Sequence, residues 1–234
     1  TAYLKTHYQS EFFSASMTMD ISNQNKLSEF HEELKRLNIK IHRPDINECF
    51  ADFKSKDNIF YYALGAIKNV GFEAVSNIVK ERTNGGKFKS LNNFINRINP
   101  KDINKLQLEG LVKAGSFDKI NPNRKKLYES IPTLILKSKS AYENKINNQI
   151  NLFHIEEEQD DTDNNLDDWK FDLRLSKEFE SLGFFISDHP LNEYSEILEN
   201  YEVSSFTTFC NDINKIDSNI ASTVLKIQEK KTQK

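Results

Sequence analysis

The sequence has little that would fix a fold covalently or break it into turns: two cysteines, five prolines and seven glycines in 234 residues. Cys49 and Cys210 lie far apart, which excludes a disulfide framework and fits a reducing, cytoplasmic setting. The five histidines are scattered, and none pairs with cysteine or carboxylate at metal-ligand spacing, so no zinc site is expected. No apolar run approaches the length of a membrane span, and the first residues lack a signal-peptide pattern, so no membrane partner is expected. A nucleotide-type glycine loop is missing too, because Thr83 to Lys87 reads only as a turn. Two-metal catalysis needs carboxylates held rigidly together. The dense carboxylates lie in a polar stretch, and Asp45, Asp52 and Asp57 have no spacing that makes them converge. No nucleophile-and-base pattern appears either, so no catalytic residue and no cofactor are assigned.

What is present is uneven charge. The whole chain is near neutral, with 32 basic and 35 acidic residues, a net charge of −3. Between Ala63 and Ser130, however, 13 basic residues face 6 acidic ones, a local net of +7. Between Glu156 and Asp168 there are 8 acids and no base. Fields act locally, so a basic body joined to an acidic strap is a candidate for a polyanionic partner; the plainer reading is a solvated helical surface beside a solvated linker. A mean hydropathy of −0.66 points to much surface and to at least one stretch without a core.

The basic region coincides with the most informative segment. Leu64-Gly-Ala-Ile-Lys-Asn-Val-Gly71 runs into Phe72-Glu-Ala-Val-Ser-Asn-Ile-Val-Lys-Glu-Arg82, which reads as short helix, tight turn, second helix. Asn69 and Gly71 tolerate positive φ, and Val70 between them points into the angle of the helices. Such a turn leaves backbone N–H groups open beside a helix N-terminus, a concavity suited to phosphate. Lys68 lies in the turn, with Lys80, Arg82 and Lys87 beyond it. This is the helix-hairpin-helix pattern, whose alternative is an ordinary helical corner with a glycine cap. A second such element spans Asn104 to Asp118, with Lys113, Ala114 and Gly115 in its turn.

Around these segments the chain reads as mainly α. A helix carries Leu27, Phe30, Leu34 and Leu37 on one stripe, and Ile39 to Ile41 and Asn58 to Tyr62 are candidate strands. Ser90 caps a helix from Leu91 to Ile98, and another runs from Asn121-Pro122 to about Asn147, kinked or ended early by Pro132. Asn148 to Asp168 should have no fold of its own. Helices from Ser176 to Phe184 and Leu191 to Leu198 follow, and Ile220 to Ile227 alternates like a strand. Within the acidic strap, Gln149-Ile150-Asn-Leu152-Phe153 has the form of a linear docking motif: a polar anchor, then two large apolar side chains. The alternative is that Leu152 and Phe153 fold back onto the chain's own core.

Five blocks together resemble the alpha subunit of bacterial DNA polymerase III, the family C replicative polymerases. They are Thr1 to Tyr8, Arg43-Pro-Asp-Ile-Asn47, Tyr62 to Gly71, Leu108 to Asp118 and Glu180 to Leu191, and they occur in the family's order. The resemblance implies an end of the fingers region over 1–58 and a tandem helix-hairpin-helix module over 59–147. A flexible acidic linker with a clamp-binding motif would cover 148–168, a helical connector 169–218, and the first strand of a truncated OB-fold 219–234. It implies that Lys68, Asn69, Val70, Gly71, Lys113, Ala114 and Gly115 contact duplex backbone, helped by Lys80, Arg82 and Lys87. Gln149, Ile150, Leu152 and Phe153 would bind the sliding clamp. It places the catalytic aspartates and their magnesium upstream, leaving this stretch without activity alone, and implies other replisome subunits as partners. The other readings are a stand-alone helix-hairpin-helix DNA adaptor and the error-prone paralogue of the same family.

Overall fold

The computed structural model describes residues 2–57, 59–146, 167–211, 217–224, 227 and 229. The described residues divide into two compact units, 1–186 and 187–234. The first begins with α1 (Ala2–His7), α2 (Gln9–Met19) and α3 (Gln24–Arg36). The side chain of Asn23 caps α3 by accepting from the Lys26 amide, and the expected stripe buries Leu27 and Leu34 with His31 between them.

A small sheet follows, β1 (Lys40–His42), β2 (Lys54–Lys56) and β3 (Ile59–Tyr61), in the order β1-β3-β2. β3 runs parallel to β1, with Ile41 opposite Phe60, and antiparallel to β2, with Ser55 opposite Phe60. The two expected strands are therefore present and pair. β2 was not foreseen, because Lys-Ser-Lys shows no apolar alternation; it is a short, charged edge strand.

The chain then passes through a 3₁₀ turn at Leu64–Ala66 into α4 (Phe72–Gly85), α5 (Leu91–Arg97), α6 (Lys105–Lys113) and α7 (Arg124–Ile146). Ser90 caps α5 as expected, accepting from the Asn93 amide. α7 runs through Pro132 to Ile146, close to the expected end at Asn147, so of the two expected effects of the proline the early end does not occur. Leu127, Ile131 and Leu134 are buried on either side of the proline, so packing holds the helix against the lost hydrogen bond. α8 (Phe171–Leu182) begins five residues before the expected Ser176. One apolar core joins Phe13, Leu34, Tyr62, Ile67, Ile78, Phe94, Leu111 and Leu182.

In the second unit a 3₁₀ turn at Pro190–Tyr194 precedes α9 (Ser195–Asn200) and α10 (Phe206–Asn211), where one helix from Leu191 to Leu198 was expected. Residues 217–224 form no regular element, so the described part of the expected strand from Ile220 is not formed.

Candidate nucleic-acid interface

The first hairpin is built from the turn at residues 67–71. Asn69 adopts φ +65°, the left-handed conformation its sequence anticipates, whereas Gly71 is extended at φ −74° and caps α4. One strained residue, not two, makes the turn. Val70 is buried and lies against α6: a Cβ on Gly110 would come 3.1 Å from its Cγ2 and 2.7 Å from the Lys68 carbonyl oxygen. Glycine at 110 is what lets α6 approach the turn this closely. The Lys68 amide donates to the Ser181 carbonyl at 3.0 Å, and Gln24 Nε2 donates to Ala66 O at 3.1 Å, so the turn is fixed from both sides.

What remains open is the outer face. Lys68, Asn69 and Gly71 are exposed. The amides of Asn69 and Gly71 donate no hydrogen bond to another described residue, and no side chain caps α4. A glycine-capped N-terminus of a 14-residue helix, with Lys68 beside it, offers amide donors and positive potential to an anion. Glu73, in the first turn of α4, offsets part of that potential. Lys80 is exposed further along the helix, and neither it nor Lys68 forms an ion pair among the described residues.

The other expected contacts sit differently. Arg82 donates to the Ile46 carbonyl at 2.7 Å and lies 5.6 Å from the Phe50 ring centroid, and burial lowers its pKa; it braces the core. Lys87 pairs with Glu48. The second hairpin is built differently. Gly115 (φ +78°) closes α6 in a Schellman cap, with its amide bonded to Val112 O and that of Ser116 to Leu111 O. Ala114 and Gly115 are buried, and their amides are satisfied inside the chain. Lys113 bonds Glu180 Oε1 at 2.8 Å with only 12% of its side chain exposed. Desolvation works against its charge, but Glu180 more than offsets that, and its pKa stays above the ordinary lysine value. Here the amides of Ala114, Gly115 and Ser116 are bonded and Lys113 is paired, so this turn offers fewer donors to a phosphate than the first.

Sequence reasoning also missed Gln107, which closes a reciprocal capping box with Asn104 and lies against the first hairpin, 3.1 Å from where a Gly71 Cβ would stand. The Asn-x-x-Gln spacing was its signal. Gln149, Ile150, Leu152 and Phe153 lie outside the described residues. Those residues hold no group of three or more His, Cys, Asp or Glu that could hold a metal ion. No helix among them is long and apolar enough to cross a membrane.

A family model described as a helix-hairpin-helix motif matches residues 38–127, the stretch that contains both turns. The fold and the open turn thus define a helix-hairpin-helix protein. More particularly, the chain is 37% identical over 198 residues to a DNA polymerase III subunit alpha of Caulobacter vibrioides, covering 82% of this chain and 17% of the relative. It is 37% identical over 206 residues to that of Borreliella burgdorferi, with 86% and 18% covered. The Campylobacter jejuni protein of the same name is 38% identical over 205 residues, with 84% and 17% covered. The chain belongs to the DNA polymerase III alpha-subunit family and spans less than a fifth of the length of these three relatives.

Proposed function

We propose that this chain serves DNA synthesis in chromosome replication as the part of a replicative DNA polymerase that holds duplex DNA by its backbone, without reading bases. The observation that supports this is the exposed turn at Lys68 to Gly71, with its free amides, in a chain whose relatives are polymerase subunits. Lys68, Asn69, Gly71 and Lys80 make the contact, with Val70 setting the angle of the turn. Arg82 supports it from within, Lys87 is held at the surface by Glu48, and Lys113, Ala114 and Gly115 support the packing of α6 beneath it. The setting is the cytoplasm. Nucleotide addition belongs, on this reading, to another part of the parent protein.

The same reading assigns Gln149, Ile150, Leu152 and Phe153 to the sliding clamp, with other replisome subunits as neighbours. Gln149 supplies a hydrogen bond, and Leu152 and Phe153 fill an apolar cleft. Leu152→Ala with Phe153→Ala removes binding to the ring-shaped clamp, read by calorimetry, and leaves the melting curve unchanged. A double variant that melts lower and still binds the clamp refutes that assignment.

The DNA grip is tested by titrating labelled duplexes of two unrelated sequences over a salt series. With two or three phosphates neutralised, log K falls against log salt with a slope of roughly −2 to −3 for both sequences. Lys68→Ala reduces the slope by about 1, whereas Lys113→Ala leaves it unchanged because Glu180 already neutralises that lysine. Binding insensitive to salt, or confined to one sequence, refutes the grip.

A further inference from the structure

The open turn is bordered by two apolar side chains that the backbone grip does not use. Phe72 is the first residue of α4, directly after the Gly71 cap, and is 49% exposed. Leu106, in the first turn of α6, is 57% exposed. Both belong to helix N-termini that meet at one place, since Gln107, the neighbour of Leu106, comes within 3.1 Å of a Cβ on Gly71. The Phe72 ring is not loose. Its Cδ2 would lie 3.3 Å from a Cβ on Gly65, and that Cβ would also come 2.7 Å from the Ala51 carbonyl oxygen, so the ring rests on a backbone surface kept bare by glycine. One side of the ring is seated and the other is uncovered.

We propose that Phe72 and Leu106 form an apolar edge of the interface and pack on the deoxyribose faces next to the phosphate held at the turn. This rests on the reading of that turn as a DNA-backbone grip, and it names the part of the backbone that the amides cannot recognise. Along each strand a phosphate alternates with a sugar whose C–H surface is apolar. A side chain adjoining phosphate-binding amides therefore meets sugar. Charge complementarity selects this occupant over a protein. The two residues lie beside exposed Lys68, which forms no ion pair among the described residues, and beside two helix N-termini, surroundings that attract a polyanion. An apolar contact releases no counterions, so its contribution is independent of salt, unlike that of a lysine.

That difference supplies the test. Duplex affinity is measured over a salt series for the wild type, Phe72→Ser with Leu106→Ser, Phe72→Leu, and Lys68→Ala, each with a melting curve. The double serine variant binds about 5- to 20-fold more weakly at every salt concentration with an unchanged slope. Phe72→Leu, which keeps an apolar surface, retains most of the affinity, and Lys68→Ala changes the slope instead. If the wild type binds with its salt dependence and the double serine variant binds equally well, the inference is overturned and the two residues face another protein surface. A double serine variant whose melting point falls along with its affinity, with Phe72→Leu melting normally and binding no better, also overturns it. If the wild type does not bind duplex DNA at low salt, the grip itself falls and the apolar edge with it.

Discussion

His31 shows how one residue can couple this fold to pH. It is 2% exposed on α3, its ring centroid is 4.5 Å from that of Phe184, and its Nδ1 has no hydrogen-bond partner. Burial lowers its pKa from 6.5 to about 4, helped by nearby Lys35. Glu32, with its Oε1 3.5 Å away and 68% exposed, acts in the opposite direction and does not offset this. The folded state therefore holds the ring neutral, while the unfolded chain takes up a proton below pH 6.5. The contribution to stability is complete above that pH and is lost as pH falls towards 4, on the order of 3 kcal/mol across the window. Urea midpoints at pH 7, 6 and 5 should fall for the wild type and much less for His31→Leu; parallel curves for the two proteins refute the assignment. The cysteines differ as sharply. Burial pushes the Cys49 thiol up to about 12, and its Sγ donates to Arg43 O at 3.2 Å, whereas Cys210 is exposed. One equivalent of thiol reagent should react promptly in the native state, and the second only on unfolding.

At the scale of elements, close approach decides more than propensity. α6 reaches the first hairpin only because residue 110 has no side chain, and the atom a Cβ would strike is a backbone carbonyl, which cannot swing aside. Gly110→Ala should cost about 1–3 kcal/mol in urea denaturation and weaken duplex binding by displacing the turn. A variant as stable as the wild type with unchanged DNA affinity would show that the helices slide without consequence. Ser90→Ala should cost about 1 kcal/mol through the lost cap and leave DNA binding unaltered. The Ser90 cap and the left-handed Asn69 were legible in the sequence, because these residues and the stripe of α3 act through local chemistry, whereas the Asn104–Gln107 capping box went unread. The second hairpin was legible as a turn but not as a buried one. Its fate depends on Glu180, 67 positions from Lys113, and no local pattern encodes that partnership. β2 escaped for the opposite reason, since its lysines contribute no apolar period and the strand exists only because β3 offers it an edge.

For the larger unit, residues 1–186, charge is organised as much inward as outward. Arg124, 3% exposed, holds Asp118 through two bonds of 2.8 and 2.7 Å, donates to Lys113 O at 3.0 Å, and stands 3.6 Å from Glu178, which is fully buried. Asp118 also accepts from Arg174 at 3.0 Å, and Arg174 reaches Asp168, whose other oxygen accepts the Lys125 amide. Glu178 Oε1 in turn accepts the Ile186 amide at 2.7 Å. This network joins the second turn, the start of α7 and α8, so Arg124, like Arg82 and Lys113 elsewhere in the +7 stretch, serves cohesion more than binding. The local excess was legible in the sequence, but its division between inner and outer roles was not, because that depends on which acid each base meets in space. Removing one member of a buried pair leaves the other charged and unsolvated. Arg124→Met should therefore cost about 3–5 kcal/mol, whereas Arg174→Ala, with its side chain a third exposed, should cost about 1 kcal/mol or less. Adding Glu178→Met to Arg124→Met removes the stranded carboxylate and should restore part of the loss. Chemical denaturation of the two single variants and the double variant closes the cycle. An Arg124→Met protein within about 1 kcal/mol of wild type, or a double variant no more stable than the single, would mean that apolar packing alone holds α8 in place.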